Sequence, residues 1–491
     1  MASSQWTFAT ASETAKALAH REVSSVELTQ LAIDRIQRHD DKINAICVRD
    51  FDRALDAARS ADAALARGER RPLLGLPLTV KESFNVGGLP TTWGFPQQKN
   101  FIAAEDALTV TRVKDAGGIV LGKTNVPIAL GDWQSTNDIY GTTNNPYDLA
   151  RTPGGSSGGS AAALAAGYGA LSLGSDIGGS LRVPAFHCGV TAHKPTYGLV
   201  PTRGHTPPPF PPLPNEADLA VVGPMARSAA DLSLLLEVMA GPDPLEAGKA
   251  YRLELPTARH TRLQDFRVLV VASDPLLPTD SAVRGAIERL AGDLAKVGVR
   301  VAGESPLLPD FAASSRLYMR MLHAFLGATM PPEAYARVRE KAAGLPVGAA
   351  SLAAETLRGL AFSHRDWVHA SGARAGLRAQ WRLLFESFDA VICPIMPTPA
   401  FPHDHSDDMG ARRITIDGVD HDYGDQLAWP GIATLPGLPA TQIPLGLAEG
   451  LPVGAQIVGP FLEDRTALKL AELIEREFGG FTPPPMFSGQ S

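Results

Sequence analysis

Cysteine is scarce in this sequence, and so are the patterns that cysteine usually builds. Among 491 residues there are three cysteines, Cys47, Cys188 and Cys393, with no C-x-x-C pair. This number and spacing argue against a disulfide framework and a cysteine zinc site, and favour a reducing compartment. The first residues show no basic segment followed by an apolar core, and no apolar run approaches the ~18 residues of a membrane span. We therefore expect a cytoplasmic protein with no membrane contact.

Clusters of basic residues are missing as well. The formal net charge is −7, and no stretch concentrates lysine and arginine. A nucleic-acid partner is therefore not expected. With 44% apolar and 20% charged residues, the chain can bury a large core. Its length alone would suggest about three domains.

Histidine is absent from the two segments that are densest in glycine and serine. The first, 154–160, reads Gly-Gly-Ser-Ser-Gly-Gly-Ser, and the second, 174–180, reads Gly-Ser-Asp-Ile-Gly-Gly-Ser. Between them, the Ala-rich run 161–166 predicts a short helix that ends at Gly167, and residues 171–173 predict a strand. Glycine beside serine lets backbone amides approach a ligand closely. The two segments therefore predict a cradle for an anion or a developing oxyanion.

Two other interpretations of the first segment are weaker. A flexible linker would not enclose an apolar helix and strand. Residues 154–158 also fit the G-x-S-x-G nucleophile elbow, but an elbow must follow a buried strand, and residues 142–148 form a polar loop with a proline. A serine hydrolase whose general base is not histidine fits the two segments best.

Lysine can act as such a base only if its pKa falls by about three units from ~10.4, through burial or nearby positive charge. Lys81 is the candidate, because it ends the apolar run 75–80. A lysine at a strand end is by itself more often a solvated residue at the rim of a sheet. Its interpretation as a base depends on the motifs that accompany it.

Six segments in order along the chain resemble the amidase signature family. They are the strand ending in Lys81, Leu-Gly-Lys-Thr-Asn at 121–125, the first Gly/Ser segment 154–160, Asp-Ile-Gly-Gly-Ser-Leu-Arg at 176–182, His-Lys-Pro-Thr-Tyr-Gly at 193–198, and Gly-Pro-Met-Ala-Arg-Ser at 223–228. Each motif is weak alone. The ordered set, spanning roughly residues 75 to 240, is highly specific.

The resemblance implies an α/β fold in a single large domain, with a central mixed, twisted β-sheet covered by helices on both faces. This overrides the length-based expectation of three domains. We expect residues 1–491 to form one domain in which 68–300 and 388–480 hold the sheet core and the catalytic motifs. Residues 305–425 show the least likeness to the family and are expected to form a variable substrate-pocket region.

The resemblance also implies a Ser-Ser-Lys triad and its surroundings. Ser180 would be the nucleophile, Ser156 would lie on a cis peptide, and Lys81 would be the ultimate base. The further expected residues are, for the oxyanion hole, the N–H groups of Ile177, Gly178, Gly179 and Ser180; for substrate binding, Leu130, Gly131, Asp132 and Trp133; and as supports, Ser157, Asp176 and Arg182. The family needs no metal and no cofactor, so none is expected.

Local patterns outside these motifs give further expectations. Residues 12–68 read as helical scaffold, with a capping box from Ser24 to Glu27. Six prolines between 207 and 214 favour polyproline II and predict either a surface spacer or a flap over the site entrance. The polar stretch 403–408, with two histidines and three aspartates, invites a metal interpretation, but a solvated loop is the more common role of such a stretch.

The function expected from these observations is hydrolysis of the carbon–nitrogen bond of a small-molecule amide or carbamate through an acyl-enzyme. One alternative is the glutamine-hydrolysing subunit of a tRNA-dependent amidotransferase complex. Others are an esterase and a catalytically silent scaffold, the latter disfavoured because all three triad positions are filled. The substrate and the oligomeric state stay open, and a homodimer is among the possibilities.

Overall fold

The computed structural model describes residues 4–214 and 216–487, so both ends of the predicted 1–491 domain lie partly outside the described residues. Its strands, in chain order, are β1 Ile46–Arg49, β2 Pro77–Lys81, β3 Ile119–Thr124, β4 Thr136–Asn137, β5 Gly141–Thr142, β6 Leu171–Asp176, β7 Thr191–Lys194, β8 Val221–Ala226, β9 Arg267–Val270, β10 Arg300–Ala302, β11 Ala390–Cys393, β12 Arg413–Ile416, β13 Val419–Asp422, β14 Ala440–Ala448 and β15 Leu451–Val458.

Across these ranges, eleven of the strands form one sheet in the order β1-β3-β2-β6-β8-β7-β14-β15-β11-β9-β10. Neighbours β3, β2 and β6 run parallel, as do β11, β9 and β10, while the remaining pairs are antiparallel. The sheet is therefore mixed, as expected. The pairs β4–β5 and β12–β13 form two small hairpins outside it.

Fourteen α-helices accompany this sheet within the described residues, and several of them cover its two faces. They are α1 Ala11–His20, α2 Ser25–Ile43, α3 Phe51–Ala66, α4 Leu108–Asp115, α5 Gly158–Ala165, α6 Arg182–His187, α7 Ala229–Met239, α8 Ser281–Lys296, α9 Phe311–Leu326, α10 Pro332–Ala343, α11 Leu352–Leu360, α12 His364–Ser387, α13 Ala428–Thr434 and α14 Asp464–Phe478. On β9, Val268 and Val270 join the apolar cluster under α8 and α14, while Leu269 joins the cluster under α9, α12 and α13. Successive side chains of a strand point to opposite faces, so helices flank the sheet on two sides.

The expected capping box at the start of α2 is present. The Ser24 hydroxyl accepts from the Glu27 N–H, and the Glu27 carboxylate accepts from the Ser24 N–H at 2.8 Å. These bonds satisfy two of the N–H groups that the first helical turn leaves without partners.

The expectation that residues 12–68 are entirely helical is wrong at one place. Strand β1 lies between α2 and α3 and pairs antiparallel with β3, so the sheet includes residues that precede the expected start of the sheet core at residue 68. The buried Asp40 carboxylate turns the chain into this strand by accepting from the N–H groups of Ala45 and Ile46, at 2.8 and 3.0 Å. A four-residue strand is too short to show a clear period in the sequence.

The proline-rich segment after β7 contains no strand within residues 203–214, and its Pro208–Pro209 peptide is cis. The start of this segment is held by two backbone hydrogen bonds. The Gly204 carbonyl accepts from the Asn85 N–H at 2.9 Å, and the Arg203 carbonyl accepts from the Leu108 N–H at 3.0 Å.

Among the described residues, no helix has the length and apolarity that crossing a membrane requires.

A glycine in β3 sets a testable limit on how β1 joins the sheet. Gly122 has φ 155°, and a Cβ there would lie 2.2 Å from the Val48 carbonyl oxygen. We predict that Gly122→Ala lowers the free energy of unfolding by about 1–3 kcal/mol, because backbone must move to relieve the overlap. Thermal melting of the purified variant measures the effect.

The matched control is Gly292→Ala in α8, where a Cβ would meet nothing within 4 Å. It should raise stability by about 0.5–1 kcal/mol, since alanine restricts the unfolded chain and favours the helix. A Gly122→Ala protein that melts at the wild-type temperature would contradict the tight β1–β3 approach.

Candidate active site

Strands β2 and β6 bring the predicted base and the second Gly/Ser segment together. The two strands are parallel neighbours, with Val80 opposite Leu173. Parallel neighbours end at the same edge of a sheet, where ligands of open α/β sheets bind. Lys81, the last residue of β2, therefore lies beside Ser175 near the end of β6.

Two hydroxyls fix the position of the Lys81 amine. Its Nζ lies 2.7 Å from Ser156 Oγ and 2.9 Å from Ser175 Oγ, and its side chain is completely buried. The structure thus brings together two of the three predicted triad residues. Ser175 was not predicted; its place four residues after the strand start at Leu171 is the signal that could have found it.

Burial shifts the pKa of the Lys81 amine. It lowers the pKa of the amine well below the ordinary 10.5, and the charge of Asp176 opposes this shift only in part. A neutral lysine carries a lone pair and can accept a proton. The arrangement is therefore chemically suited to a general base.

The first Gly/Ser segment places Ser156 against Lys81. The Gly155–Ser156 peptide is cis, as the resemblance implied, and Ser156 is buried. Gly155 is needed for close packing, since a Cβ there would lie 2.4 Å from the Asp132 carbonyl oxygen. Ser157 joins the two segments: its N–H donates to the Ser180 carbonyl at 3.2 Å.

The predicted nucleophile Ser180 lies in a turn between β6 and α6 and is largely buried. Within the described chain, its hydroxyl makes no hydrogen bond to Ser156. Catalytic hydrogen bonds are often long without substrate and tighten in the complex. The Ser180–Ser156 step of the predicted relay accordingly stays a proposal.

Asp176 and Arg182 form a fully buried ion pair beneath this turn. Arg182 donates to both Asp176 oxygens, at 2.9 and 3.0 Å, and also to Gln456 Oε1 at 2.7 Å. Burial alone would raise the pKa of Asp176, but the charge and hydrogen bonds of Arg182 hold it below its usual value. The structure thus brings the two predicted supporting residues together, and their supporting role stays a prediction.

The same carboxylate changes the expected set of oxyanion donors. The Gly179 N–H donates to Asp176 Oδ1 at 3.0 Å, and the Leu181 N–H donates to Oδ2 at 3.1 Å. The Gly179 N–H therefore already has a partner, whereas the sequence led us to expect a free oxyanion donor there. In the part of the chain that is described, the N–H groups of Ile177, Gly178 and Ser180 have no hydrogen-bond partner.

The predicted substrate segment 130–133 divides into two roles. Trp133 is buried and its Nε1–H donates to the Gly178 carbonyl at 3.1 Å, so it directly contacts residues 177–180, the oxyanion loop. Asp132 faces elsewhere: it pairs with Arg412 at 2.6 Å and accepts from Tyr423 OH at 2.7 Å. Leu130 is half-buried and Gly131 is exposed.

Two aromatic or imidazole groups near the triad were not assigned to it from sequence. Tyr318 OH, from α9, donates to the Ile177 carbonyl at 2.7 Å. His205 Nε2 lies 3.0 Å from Ser83 Oγ, and burial lowers the pKa of this imidazole to about 3. Both come from segments far away in sequence, which leave no local pattern to detect.

Residues of the polar stretch 403–408 already form hydrogen bonds within the protein. His403 Nε2 lies 3.0 Å from Asn144 Oδ1, and Asp404 accepts from the Ser406 N–H at 3.0 Å. Over residues 4–214 and 216–487, no group of three or more His, Cys, Asp or Glu side chains could hold a metal ion.

A cavity of about 530 Å³ lies beside this stretch. Its lining includes Gln134, His403, Arg412 and Tyr423, and none of the three predicted triad residues. Arg412 and Tyr423 are the partners of Asp132, so the cavity borders two residues that hold segment 130–133, while Ser180 is not among its lining residues.

Comparison with known proteins identifies the family of the chain. The sequence profile of a family described as Amidase matches residues 27–468. The chain is 33% identical over 492 residues to a Glutamyl-tRNA(Gln) amidotransferase subunit of Roseiflexus sp. (strain RS-1), covering 95% of this chain and 96% of that protein. It is 32% identical over 505 residues to Fatty-acid amide hydrolase 2-A of Danio rerio, covering 96% and 89%.

Solved structures give the same result. One, described as an unexpected vestigial protein complex that reveals the evolutionary origins of an s-triazine catabolic enzyme, superposes with a TM-score of 0.80 at 28% identity, covering 97% of this chain and 100% of that chain. These relatives, whose names refer to different molecules, match 95–97% of this chain.

The site geometry predicts how reactivity depends on pH. If neutral Lys81 is the base, the rate at which a fluorophosphonate labels Ser180 should rise with pH through an apparent pKa well below 10.5 and then level off. Lys81→Ala should remove most of the rate and flatten this rise. Lys81→Arg should fail equally, because a guanidinium stays protonated.

Lys114→Ala serves as the control, since Lys114 is partly exposed and pairs with Asp106. It should retain the wild-type rate and pH profile. Substantial reactivity of Lys81→Arg with an unchanged profile would show that Lys81 is a structural cation and would point to another base.

Proposed function

Because the chain belongs to the amidase family, we propose that it hydrolyses carbon–nitrogen acyl bonds with Ser180 as the nucleophile. The observation that carries this proposal is the buried Lys81 Nζ at 2.7 Å from Ser156 Oγ. The lowered pKa of Lys81 is the property that a general base needs.

The reaction proceeds by two proton relays. As Ser180 Oγ attacks the substrate carbonyl, its proton passes to Ser156 Oγ while the Ser156 proton passes to Lys81 Nζ. The resulting oxyanion is held by the free N–H groups of Ile177, Gly178 and Ser180. When the carbon–nitrogen bond breaks, the same proton returns through Ser156 to the leaving nitrogen.

Water completes the cycle. It attacks the acyl group on Ser180 and gives its proton through Ser156 to Lys81. Breaking of the acyl–Oγ bond then returns that proton to Ser180 and releases the carboxylic acid. No cofactor takes part in these steps.

The substrate class has two candidates, each supported by a different observation. The relatives favour glutamine: the Roseiflexus amidotransferase protein matches over 96% of its length, and similar amidotransferase proteins reach 34% identity. On this reading the chain would release ammonia from glutamine inside a multi-subunit complex. It would then need a cation for the glutamine carboxylate.

The surroundings of the oxyanion loop support a neutral substrate instead. Apolar side chains against the loop include Trp133, which donates to the Gly178 carbonyl, and Leu427, whose methyl would lie 2.8 Å from a Cβ at Gly178. Arg182, beneath the loop, is already paired with Asp176, and Arg412, which lines the cavity of about 530 Å³, is paired with Asp132. A neutral aryl or alkyl amide, or a carbamate, would be bound without breaking either ion pair.

A substrate panel separates these candidates. Purified protein should be assayed for ammonia release from glutamine and from aliphatic amides, and for amine release from anilides and carbamates, with an aryl ester for comparison. Dominant turnover of anilides, amides or carbamates supports a stand-alone hydrolase. Dominant glutaminase activity supports the amidotransferase reading, and turnover of the ester alone would overturn the amidase proposal. A cytoplasmic location and a possible homodimer stay expectations.

The nucleophile assignment predicts a specific loss of function. Ser180→Ala should abolish turnover and fluorophosphonate labelling while the protein stays folded, because one hydroxyl is removed. Ser60→Ala is the control: Ser60 is an exposed helical serine on α3 and should change neither property. Intact-mass spectrometry measures the labelling. A label found on Ser156 with Ser180 intact would refute the assignment.

A further inference from the structure

Two side chains from other segments donate hydrogen bonds to carbonyl groups of the oxyanion loop, residues 177–180. Tyr318 OH donates to the Ile177 carbonyl at 2.7 Å, and Trp133 Nε1–H donates to the Gly178 carbonyl at 3.1 Å. The first side chain comes from α9 and the second from segment 130–133. Two glycines in the loop leave its peptide planes free to rotate unless other groups fix them.

Fixing a carbonyl also fixes the N–H on the other side of the same peptide. The Ile177–Gly178 peptide is trans, since the described cis peptides are Gly155–Ser156 and Pro208–Pro209. In a planar trans peptide, the C=O of one residue and the N–H of the next point in opposite directions. The bond to Tyr318 therefore turns the Gly178 N–H away from Tyr318.

The neighbouring peptide follows the same rule with a different outcome. Trp133 holds the Gly178 carbonyl, and the Gly179 N–H on that peptide is used by Asp176 at 3.0 Å. Gly178 is thus the glycine whose N–H is both oriented and free. Its orientation depends on Tyr318.

Tyr318 is itself held rigidly. It is completely buried, and its ring packs so closely on α13 that a Cβ at Gly431 would lie 2.3 Å from its Cδ1. Burial also raises the pKa of Tyr318, so the hydroxyl keeps its proton as a donor. A ring fixed in this way presents its hydroxyl at one position.

We propose that Tyr318 is a positioning residue that aims the Gly178 N–H at the oxyanion of the transition state. This inference rests on the proposed function, because it assigns Gly178 to the oxyanion hole of Ser180. Tyr318 touches neither substrate nor the reacting atoms. Its effect falls on the chemical step and leaves ground-state binding nearly unchanged.

The test uses Tyr318→Phe, which removes the hydroxyl and retains the ring packed on Gly431. Loss of a direct oxyanion donor lowers kcat about 10²–10³-fold; loss of the group that only orients one should lower it about ten-fold. The same factor should appear in the rate constant for fluorophosphonate labelling of Ser180, and KM for the best substrate of the panel should change less than about two-fold.

Tyr168→Phe is the matched control. Tyr168 is a buried tyrosine whose hydroxyl has no hydrogen-bond partner among the described residues. Its loss should leave the labelling rate and kcat at wild-type values. The pH midpoint of labelling should be the same in all three proteins, because Lys81 and Ser156 are untouched.

The possible results are distinct. If the wild-type protein is labelled and the labelling rate of Tyr318→Phe is within two-fold of the wild-type rate, the inference is overturned and the proposed function stands. A loss accompanied by a shifted pH midpoint or by an equal rise in KM also overturns it, since displacement of Ser180 or of the pocket would then explain the change. A wild-type protein that neither labels nor hydrolyses the panel refutes the proposed function and the inference together.

Discussion

The burial of the Lys81 amine is the constraint on which the rest of this site depends. A lysine without water around it is destabilised in its charged form, and hydroxyls that bond the neutral amine make up for the lost hydration. Ser156 and Ser175 provide those bonds at 2.7 and 2.9 Å. The cis Gly155–Ser156 turn and the parallel pairing of β2 with β6 deliver the two hydroxyls.

A buried carboxylate close to Lys81 opposes the effect of burial on the pKa of the amine. Asp176 raises the pKa of Lys81, and an unpaired Asp176 would favour the ammonium form. Arg182 bonds both of its oxygens, and the Gly179 and Leu181 N–H groups bond them as well. The ion pair therefore has two consequences: it neutralises the charge next to the base, and it shapes the turn that carries Ser180.

The sequence predicted the parts of this site that lie on local motifs. Lys81 contacts Ser156, and Asp176 pairs with Arg182; all four residues were named from short glycine-rich or strand-end motifs. The mixed sheet with helices on both faces was also predictable, since the same motifs mark the family. These features need no knowledge of long-range packing.

The remaining features depend on contacts between distant segments. Tyr318 reaches Ile177 across 141 positions of the chain, and Arg412 reaches Asp132 across 280. Strand β1 is defined by its pairing with β3 and by the Asp40 carboxylate, and not by its four residues. The commitment of the Gly179 N–H to Asp176 likewise follows from the folded turn and has no counterpart in the sequence pattern.

Direct titration of the Lys81 amine tests the central claim most closely. The protein would be labelled with ¹³C at lysine Cε, and the Lys81 resonance assigned by its loss in Lys81→Arg. Lys123 and Lys194 are also fully buried, with the pKa of each lowered by burial, to about 8 and about 7, so their resonances need the same assignment by substitution. Our account predicts a Lys81 midpoint well below 10.5 and a neutral amine at the pH of activity. A Lys81 resonance that stays in the ammonium position up to about pH 10, the range of a free lysine, would contradict it.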